Sequence, residues 1–438
     1  PKEKIDRAEN MKNVKVEEKK KIEGEIYLPG DKSISHRAIM LGSIARGETR
    51  VKGFSDCADC RNTLNAFLKL GIKIEDHSKG ELTVYGQGLK GLTCPREVID
   101  AGNSGTTMRL LSGILAGQDF SSTITGDEYL QRRPMRRIIL PLREMGAKIS
   151  SPDDNHPPIT IVGQKLKPID YHSTIASAQV KSCILLAGLY AKGRTSVTEP
   201  SPSRDHTERM LKYLGAPVEI KGTTIFIEGL FELEARAITI PGDVSSAAFF
   251  IIACLLLENS EIRIKGVGIN PTRTGIIDVL REMGANIVIE NVRELCGEPV
   301  ADLIVKSNTL RATKIGGDLI PRIIDEIPVL AVAATQAEGV TEISDAQELR
   351  VKESDRIGNV VSELSKMGAS IKEKEDGMVI SGGKRLVGSS VNSFGDHRMA
   401  MALTIGGLIA DGETTISDVD CIDTSFPHFM DTLNRMVE

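Results

Sequence analysis

A phrase made of a helix end, a glycine and a strand recurs along this chain at intervals of roughly 70 residues. It reads FLKLGIKIE (67–75), PLREMGAKIS (141–150), MLKYLGAPVEI (210–220), VLREMGANIVI (279–289) and ELSKMGASIKE (363–373). TLNRMVE (432–438) is a sixth helix end that stops early. A second phrase precedes each copy: GETRVKGF (47–54), GRTSVTEP (193–200), NSEIRIKG (259–266), GVTEISDA (339–346) and GETTISDV (412–419), with SSTITGDE (121–128) looser. The glycine suits a left-handed helix cap, and the β-branched alternation after it suits a strand. Each repeat therefore reads as two helices and several strands, and six of them predict an α/β fold. The stretch 247–257, AAFFIIACLLL, is apolar all round and predicts a helix buried inside a domain.

A larger duplication sits above the sixfold one. LPGDKSISHRAIMLGSIARGETRVKGF (28–54) parallels IPGDVSSAAFFIIACLLLENSEIRIKGVG (240–268). With 438 residues, two domains are expected. The two Pro-Gly-Asp turns, at 29–31 and 241–243, are natural points for the chain to cross between them. One domain is expected to comprise 29–241, and the other 1–28 plus 242–438, the N-terminal strand joining the C-terminal half. Two adjacent crossings would form a hinge, so that domain movement would close a site lying in the cleft.

Formal net charge is −5, with both signs well mixed, which argues against a nucleic-acid or anionic-membrane surface as the main partner. There is no Trp, and aromatics make up 4%, so base-stacking platforms are not expected. No apolar run is long enough to span a membrane. The seven cysteines form no dense framework, which suits reduced thiols in a cytosol; Cys57 and Cys60 form a lone CxxC and are expected as partly buried thiols beside a helix rather than a metal site. The charged opening lacks the apolar core of a secretory signal and is expected to be mobile, with order beginning near Ile22.

The candidate chemistry lies at predicted helix starts, where unpaired N–H groups and the helix dipole favour anions. LPGDKSISHR (28–37) brings Lys32, Ser33 and Arg37 to one such start. DAGNSGTTMRLLSG (100–113) offers a small-residue loop around Gly105 with Arg109 following, but lacks the GxxxxGK(S/T) spacing of a nucleotide loop. In GDEYLQRRPMRR (126–137), Pro134 fixes the backbone after Arg133, while Arg136 and Arg137 read as solvated charges. STIASAQVKS (173–182) offers Ser177, Gln179 and Lys181 as donors for a phosphate or polyol, and EPSPSRDHTERML (199–211) adds Arg204. The second half supplies acids: Asp325 and Glu326 ahead of an apolar helix, Lys352, Glu353, Asp355 and Arg356 within five residues, then Asp396, His397 and Arg398. A helix cap or a structural ion pair accounts for each acid taken singly. The recurrence in both halves points instead to a phosphorylated substrate and a second anionic one.

The ordered set LPGDKSISHR, GNSGTTMR, RRPM, SAQVKS, PGDVSSAAFF, DEIPVLAVAA, RVKESDRI and GDHRMAMAL resembles the 5-enolpyruvylshikimate-3-phosphate synthase family, from about Ile22 to the C-terminus. The resemblance implies the enolpyruvyl transferase fold, two domains of three βαβαββ repeats each. It implies transfer of the enolpyruvyl group of phosphoenolpyruvate to the 5-hydroxyl of shikimate 3-phosphate, with release of phosphate, on the route to chorismate and the aromatic amino acids. No cofactor and no metal are implied, and a cytoplasmic monomer is expected. Matched residue by residue, Lys32, Ser33, Arg37, Ser177, Ala178, Gln179, Arg204, Asp325 and Lys352 are expected to bind shikimate 3-phosphate. Lys32, Gly105, Arg133, Gln179, Arg356 and Arg398 are expected to hold phosphoenolpyruvate. Asp325 is expected to accept the hydroxyl proton, and Glu353, helped by Lys32, to move the methylene proton.

Two departures resemble the second, often glyphosate-tolerant class of the family. Leu110 stands where the familiar bacterial and plant form has Pro, and Thr424 where it has Lys. Gly105 is retained, so intermediate sensitivity is expected. The related transferase acting on UDP-N-acetylglucosamine uses a loop cysteine, and GDEYLQRRPM contains none. A non-catalytic phospholigand-binding relative would be expected to have lost Asp325, Glu353 or Lys32.

Overall fold

The computed structural model describes residues 12–438. Most of the charged opening expected to be mobile, residues 1–11, lies outside the described residues. Among the described residues there are six sheets, five of four strands and one of three. The second repeat has every part: strand Ile99–Asp100, helix Gly105–Ala116, strand Ser121–Thr125, helix Arg136–Glu144, then strands Lys148–Ser150 and Ile159–Val162. The first strand runs parallel beside Ser121–Thr125, which pairs antiparallel with Ile159–Val162, and Lys148–Ser150 takes the other edge.

The recurring glycine does what its spacing predicts. Gly71, Gly146, Gly215, Gly284 and Gly368 all have φ between 83° and 99°, just past a helix end, where a β-carbon would be strained. Gly30 has a different reason: a β-carbon there would lie 1.7 Å from the Gly53 carbonyl oxygen.

Six long apolar helices form the centre of the repeats. In residues 29–241 they are α1 (Lys32–Ile44), α2 (Gly105–Ala116) and α3 (Ala178–Gly188). In residues 242–438 they are α4 (Val244–Leu256), α5 (Ile327–Gln336) and α6 (His397–Leu408). Each is buried nearly all round, α4 included, so two separate apolar cores form, one per unit. In a chain so poor in aromatics, Phe249, Phe250, Phe426 and Phe429 gather with ring centroids 5.5–6.1 Å apart and seat the C-terminal segment on α4.

The described chain divides into two compact units, residues 29–241 with 294–299, and 12–28 with 242–293 and 300–438. The tip 294–299, which the sequence reading leaves with 242–438, is a turn between the long strands Asn286–Leu295 and Glu298–Lys306; it joins the other unit through polar groups. There Glu298 accepts from His206 at 2.7 Å and the Gly297 carbonyl accepts from Arg209 at 3.0 Å. The edge strands of two sheets are exchanged. Glu23–Tyr27, which precedes α1, pairs with Glu261–Gly268, whereas Ile238–Thr239, which precedes α4, pairs with Arg46–Lys52.

Order also begins earlier than expected. Asn13–Val16 is a strand, antiparallel to Thr414–Ser417, in the place that the other sheets give to a strand of their own repeat. This strand completes the sheet of the sixth repeat. Val14 and Val16 alternate with polar residues, and Val16 is 5% exposed against α6, where it closely approaches Gly407. Val16→Asp would bury a carboxylate with no partner, so urea denaturation is expected to report a loss of about 3 kcal/mol. An unchanged midpoint would mean that this strand contributes nothing.

Candidate active site

In each unit the starts of the three central helices come together, and side chains cross from one start to the next. An apolar helix buried to its first turn still has unpaired N–H groups to satisfy. Asp31 accepts from Ile34 N–H at 2.9 Å, Ser104 from Thr107 N–H at 3.0 Å and Ser177 from Val180 N–H at 3.4 Å. Asp243 and Asp396 do the same for Ser245 and Arg398 N–H, at 2.8 and 2.9 Å.

In the unit 29–241, Lys32 is the first residue of α1, and its ammonium donates to Asp59 at 2.9 Å with both side chains mostly buried. Arg37, one turn on, is 4% exposed. It donates through Nε to Thr207 at 2.6 Å, and through its two Nη groups to Ser182 and the Ser33 carbonyl, each at 2.9 Å. Burial pushes its guanidinium down to about 10, and nearby Arg204 adds to that while Glu208 and Asp31 oppose it. Gln179, the second residue of α3, accepts from Arg109 at 2.7 Å and donates to Thr106 at 3.0 Å, tying the starts of α2 and α3 together. Ser177 receives its structural role as a cap, with its own N–H bonded to Glu199 at 2.9 Å.

Gly105 makes room for charge. A β-carbon there would sit 2.5 Å from Arg109 Nη1 and 3.0 Å from Arg133 Nη1, so two guanidinium groups lie over the first residue of α2. Arg133 is 9% exposed, whereas Arg136 and Arg137 are exposed, as a solvated pair would be. Arg109, read from the sequence as following an anion-binding loop but matched to neither substrate, reaches this place from one turn further along α2. The signal was present, because helical side chains lean toward the N-terminus and a residue at i+4 covers the start.

One reading needs correction. Lys181, offered as a donor to a phosphate, is spent inside the fold. It is 3% exposed and pairs with Glu199 and Glu208, each at 2.8 Å. Burial pulls this ammonium down, but Glu208 and Glu199 together outweigh it and hold it charged. The thiols differ as well: Cys57 and Cys60 are fully buried at the start of the helix Ala58–Lys69.

In the other unit, Arg356 is the centre. It starts the helix Arg356–Lys366 at 1% exposure and donates to three carboxylates. Nε and Nη2 reach Asp396 at 2.8 and 3.2 Å, Nη2 reaches Glu353 at 2.7 Å, and Nη1 reaches Asp325 at 3.2 Å. Burial alone would lower this guanidinium, yet Asp396, Glu353 and Asp325 raise it well above its ordinary range. The two acids expected in proton transfer are therefore held by a single cation. These four bonds use four of its five N–H groups, leaving one for a ligand. Lys352 and Glu353 are half-buried beside it.

Arg398, the second residue of α6, is 5% exposed, and among the described residues its Nε has no hydrogen-bond partner. A buried guanidinium with an idle N–H at a helix start has the charge and the donor to accept an anion. Thr424 sits next to it, sharing a 3.1 Å hydrogen bond with His397 and donating to the Cys421 carbonyl at 2.7 Å. Among the described residues no group of three or more His, Cys, Asp or Glu side chains is arranged to hold a metal ion.

Repeated βαβαββ units, cationic helix starts and carboxylates set on one arginine define an α/β protein built to act on anionic small molecules. The EPSP synthase (3-phosphoshikimate 1-carboxyvinyltransferase) family profile matches residues 16–433. A Geotalea daltonii protein named 3-phosphoshikimate 1-carboxyvinyltransferase is 55% identical over 412 residues, 94% of this chain and 96% of its own. One of the same name from Desulforamulus reducens is 53% identical over 419 residues, covering 95% and 98%. The solved EPSP synthase of Acinetobacter baumannii superposes with a TM-score of 0.88 at 45% identity, covering 98% of each chain. The chain belongs to the EPSP synthase family.

A titration follows from the geometry. Burial first, then the charges of Lys32 and Arg37, hold His36 well below the ordinary histidine range, so it is neutral in the fold. The unfolded chain takes up that proton near pH 6.5, so this contribution is complete above about 6.5 and is lost on acidification, by up to about 1.4 kcal/mol per pH unit. Comparing denaturation of the wild type with His36→Asn at pH 7 and pH 5 checks this. The wild type is expected to lose more stability than the variant, and equal losses would refute it.

Proposed function

We propose that this chain transfers the enolpyruvyl group of phosphoenolpyruvate to the 5-hydroxyl of shikimate 3-phosphate and releases phosphate, a step of the shikimate pathway. The observation that carries this reading is Arg356 with Asp325 and Glu353 on one guanidinium, next to a helix start whose Arg398 has an idle N–H. Addition–elimination needs such a set: one carboxylate to take a proton from an attacking hydroxyl, another acid to protonate the methylene carbon, and cations for carboxylate and phosphate.

In the addition, the 5-hydroxyl oxygen bonds to C2 of phosphoenolpyruvate while C3 gains a proton. Asp325 accepts the hydroxyl proton, and Glu353, assisted by Lys32, delivers the one to C3. In the elimination, the C2–O bond to phosphate breaks, C3 gives up a proton and the enol ether forms. Arg356 is the counter-charge for both acids as the protons move. Arg398, with Arg133 over Gly105, grips the carboxylate and phosphate of phosphoenolpyruvate, alongside Gln179, Lys32 and the last N–H of Arg356. Ser33, Arg37, Ser177, Ala178, Gln179, Arg204, Lys352 and Asp325 bind shikimate 3-phosphate. The buried bonds of Arg37 to Thr207, Ser182 and Ser33 fix its direction rather than compete with the ligand. The reading takes the chain as a cytoplasmic monomer acting on these two small molecules, with no cofactor, metal, nucleic acid or membrane.

Phosphate release from phosphoenolpyruvate tests it. Release is expected to require shikimate 3-phosphate and to fall by a factor of about 100 or more in Asp325→Asn, on the scale of one acid–base group. Release dependent on UDP-N-acetylglucosamine would move the chain to the sister transferase, and binding without release would make it non-catalytic.

The resemblance to the glyphosate-tolerant class rests on Leu110, fully buried in α2, and on Thr424, hydrogen-bonded to His397 at the start of α6. Thr424 leaves a neutral hydroxyl where the sensitive form has a cation, while Gly105 is kept, with no β-carbon to press on Arg109 and Arg133. Inhibition by glyphosate is therefore expected to be intermediate. Tight inhibition at micromolar glyphosate would overturn this.

A further inference from the structure

Beneath the starts of α1 and α2 runs a chain of side-chain hydrogen bonds that the reaction does not use. His36 Nδ1 lies 2.6 Å from Thr63 Oγ1, and Thr63 Oγ1 lies 2.6 Å from Thr107 Oγ1. Thr107 Oγ1 donates to Ser104 Oγ at 2.7 Å, and Ser104 Oγ also accepts from Thr107 N–H at 3.0 Å. All four side chains are fully buried, and they come from three helices: α1, the helix Ala58–Lys69, and α2 with its cap.

The direction of the chain follows from counting protons. A hydroxyl has one hydrogen to give. The Thr107 hydrogen goes to Ser104, so the bond between the two threonines is given by Thr63. The Thr63 hydrogen is then spent, and its bond to His36 must be given by the imidazole. We propose that His36 is held as the Nδ1–H tautomer and is the positioning residue that orients Thr63, Thr107 and Ser104, and through them the Gly105 helix start that receives phosphoenolpyruvate. The other ring nitrogen, Nε2, is then a bare lone pair, and among the described residues it is buried without a partner. A proton there would be a buried donor with nothing to accept it, beside the cations Lys32 and Arg37. Every hydrogen in the chain points toward Ser104, so its dipole adds positive potential at the turn where Arg109 and Arg133 converge.

This assignment of the ligand rests on the enolpyruvyl-transfer reading, whereas the tautomer does not. The test therefore has two arms. Nitrogen-15 NMR of the ligand-free protein, with the His36 signals identified by their loss in His36→Asn, is expected to find Nδ1 protonated and Nε2 bare. A protonated Nε2 would overturn the proposal whatever the reaction is. In the kinetic arm, the Asn amide reproduces the Nδ1 donor, and His36→Asn is expected to keep KM for phosphoenolpyruvate within about twofold of wild type. His36→Leu, which has no donor, is expected to raise that KM about tenfold, with kcat and KM for shikimate 3-phosphate changed by less than about threefold. If the Leu variant does not fold, Thr63→Val interrupts the same chain one step later and is expected to give the same split. Equal losses in the Asn and Leu variants, or losses spread over both substrates, would reduce His36 to a packing residue. A wild type that turns over neither substrate would defeat the functional reading and leave the NMR arm to decide the tautomer.

Discussion

A helix buried at its start must find partners for N–H groups that water cannot reach, and a capping side chain meets that demand at five of the six central helices. Asp31, Asp243 and Asp396 do it with carboxylates, Ser104 and Ser177 with hydroxyls. The start of α5 is the exception. Glu326 stands at its cap position, yet its carboxylate accepts from Ser245 on α4, and Arg273 donates to the same serine at 2.5 Å. Buried carboxylates call in buried cations, and the cations are placed where the helix dipoles already favour an anion. The site is thus a consequence of how apolar helices are terminated, and the same residues that allow burial bring charge to one end of each unit.

The two units solve this differently. In the C-terminal unit a single guanidinium, Arg356, balances Asp325, Glu353 and Asp396, so any proton shift at one acid is felt by the other two. In the other unit the charges are spread over Lys32, Arg37, Arg109 and Arg133, each with its own partner or space, and hydroxyls and amides make the links. The first arrangement suits moving protons, the second suits gripping oxygens.

The repeats and their helix ends were legible because they depend on local rules, the 3.6 and 2.0 periods and the left-handed glycine after each helix. Local rules do not extend to pairings made across the chain. Nothing near NVKV indicates that Asn13 will face Ser417, and nothing in the turn at 294–299 announces His206. The cations of the motifs are legible as charges at helix starts, but their state is not. Lys181 looks as available as Lys32 until Glu199 and Glu208, distant in sequence, enclose it. That Asp325 and Glu353 share Arg356 is likewise invisible from spacing, since 31 and 3 residues separate them from it.

The exchanged edge strands bear on how the polypeptide is made. Synthesis delivers Asn13–Val16 and Glu23–Tyr27 first, but their partners, Thr414–Ser417 and Glu261–Gly268, leave the ribosome long afterwards. The intervening unit has nearly all of its own strands by Pro241 and can condense while these two early segments still await their sheets. Their long sequence separation makes these closures slow and late. A nascent chain halted anywhere before residue 414 would carry at least one strand with an unmatched edge, which is the state most prone to aggregate and most in need of a chaperone.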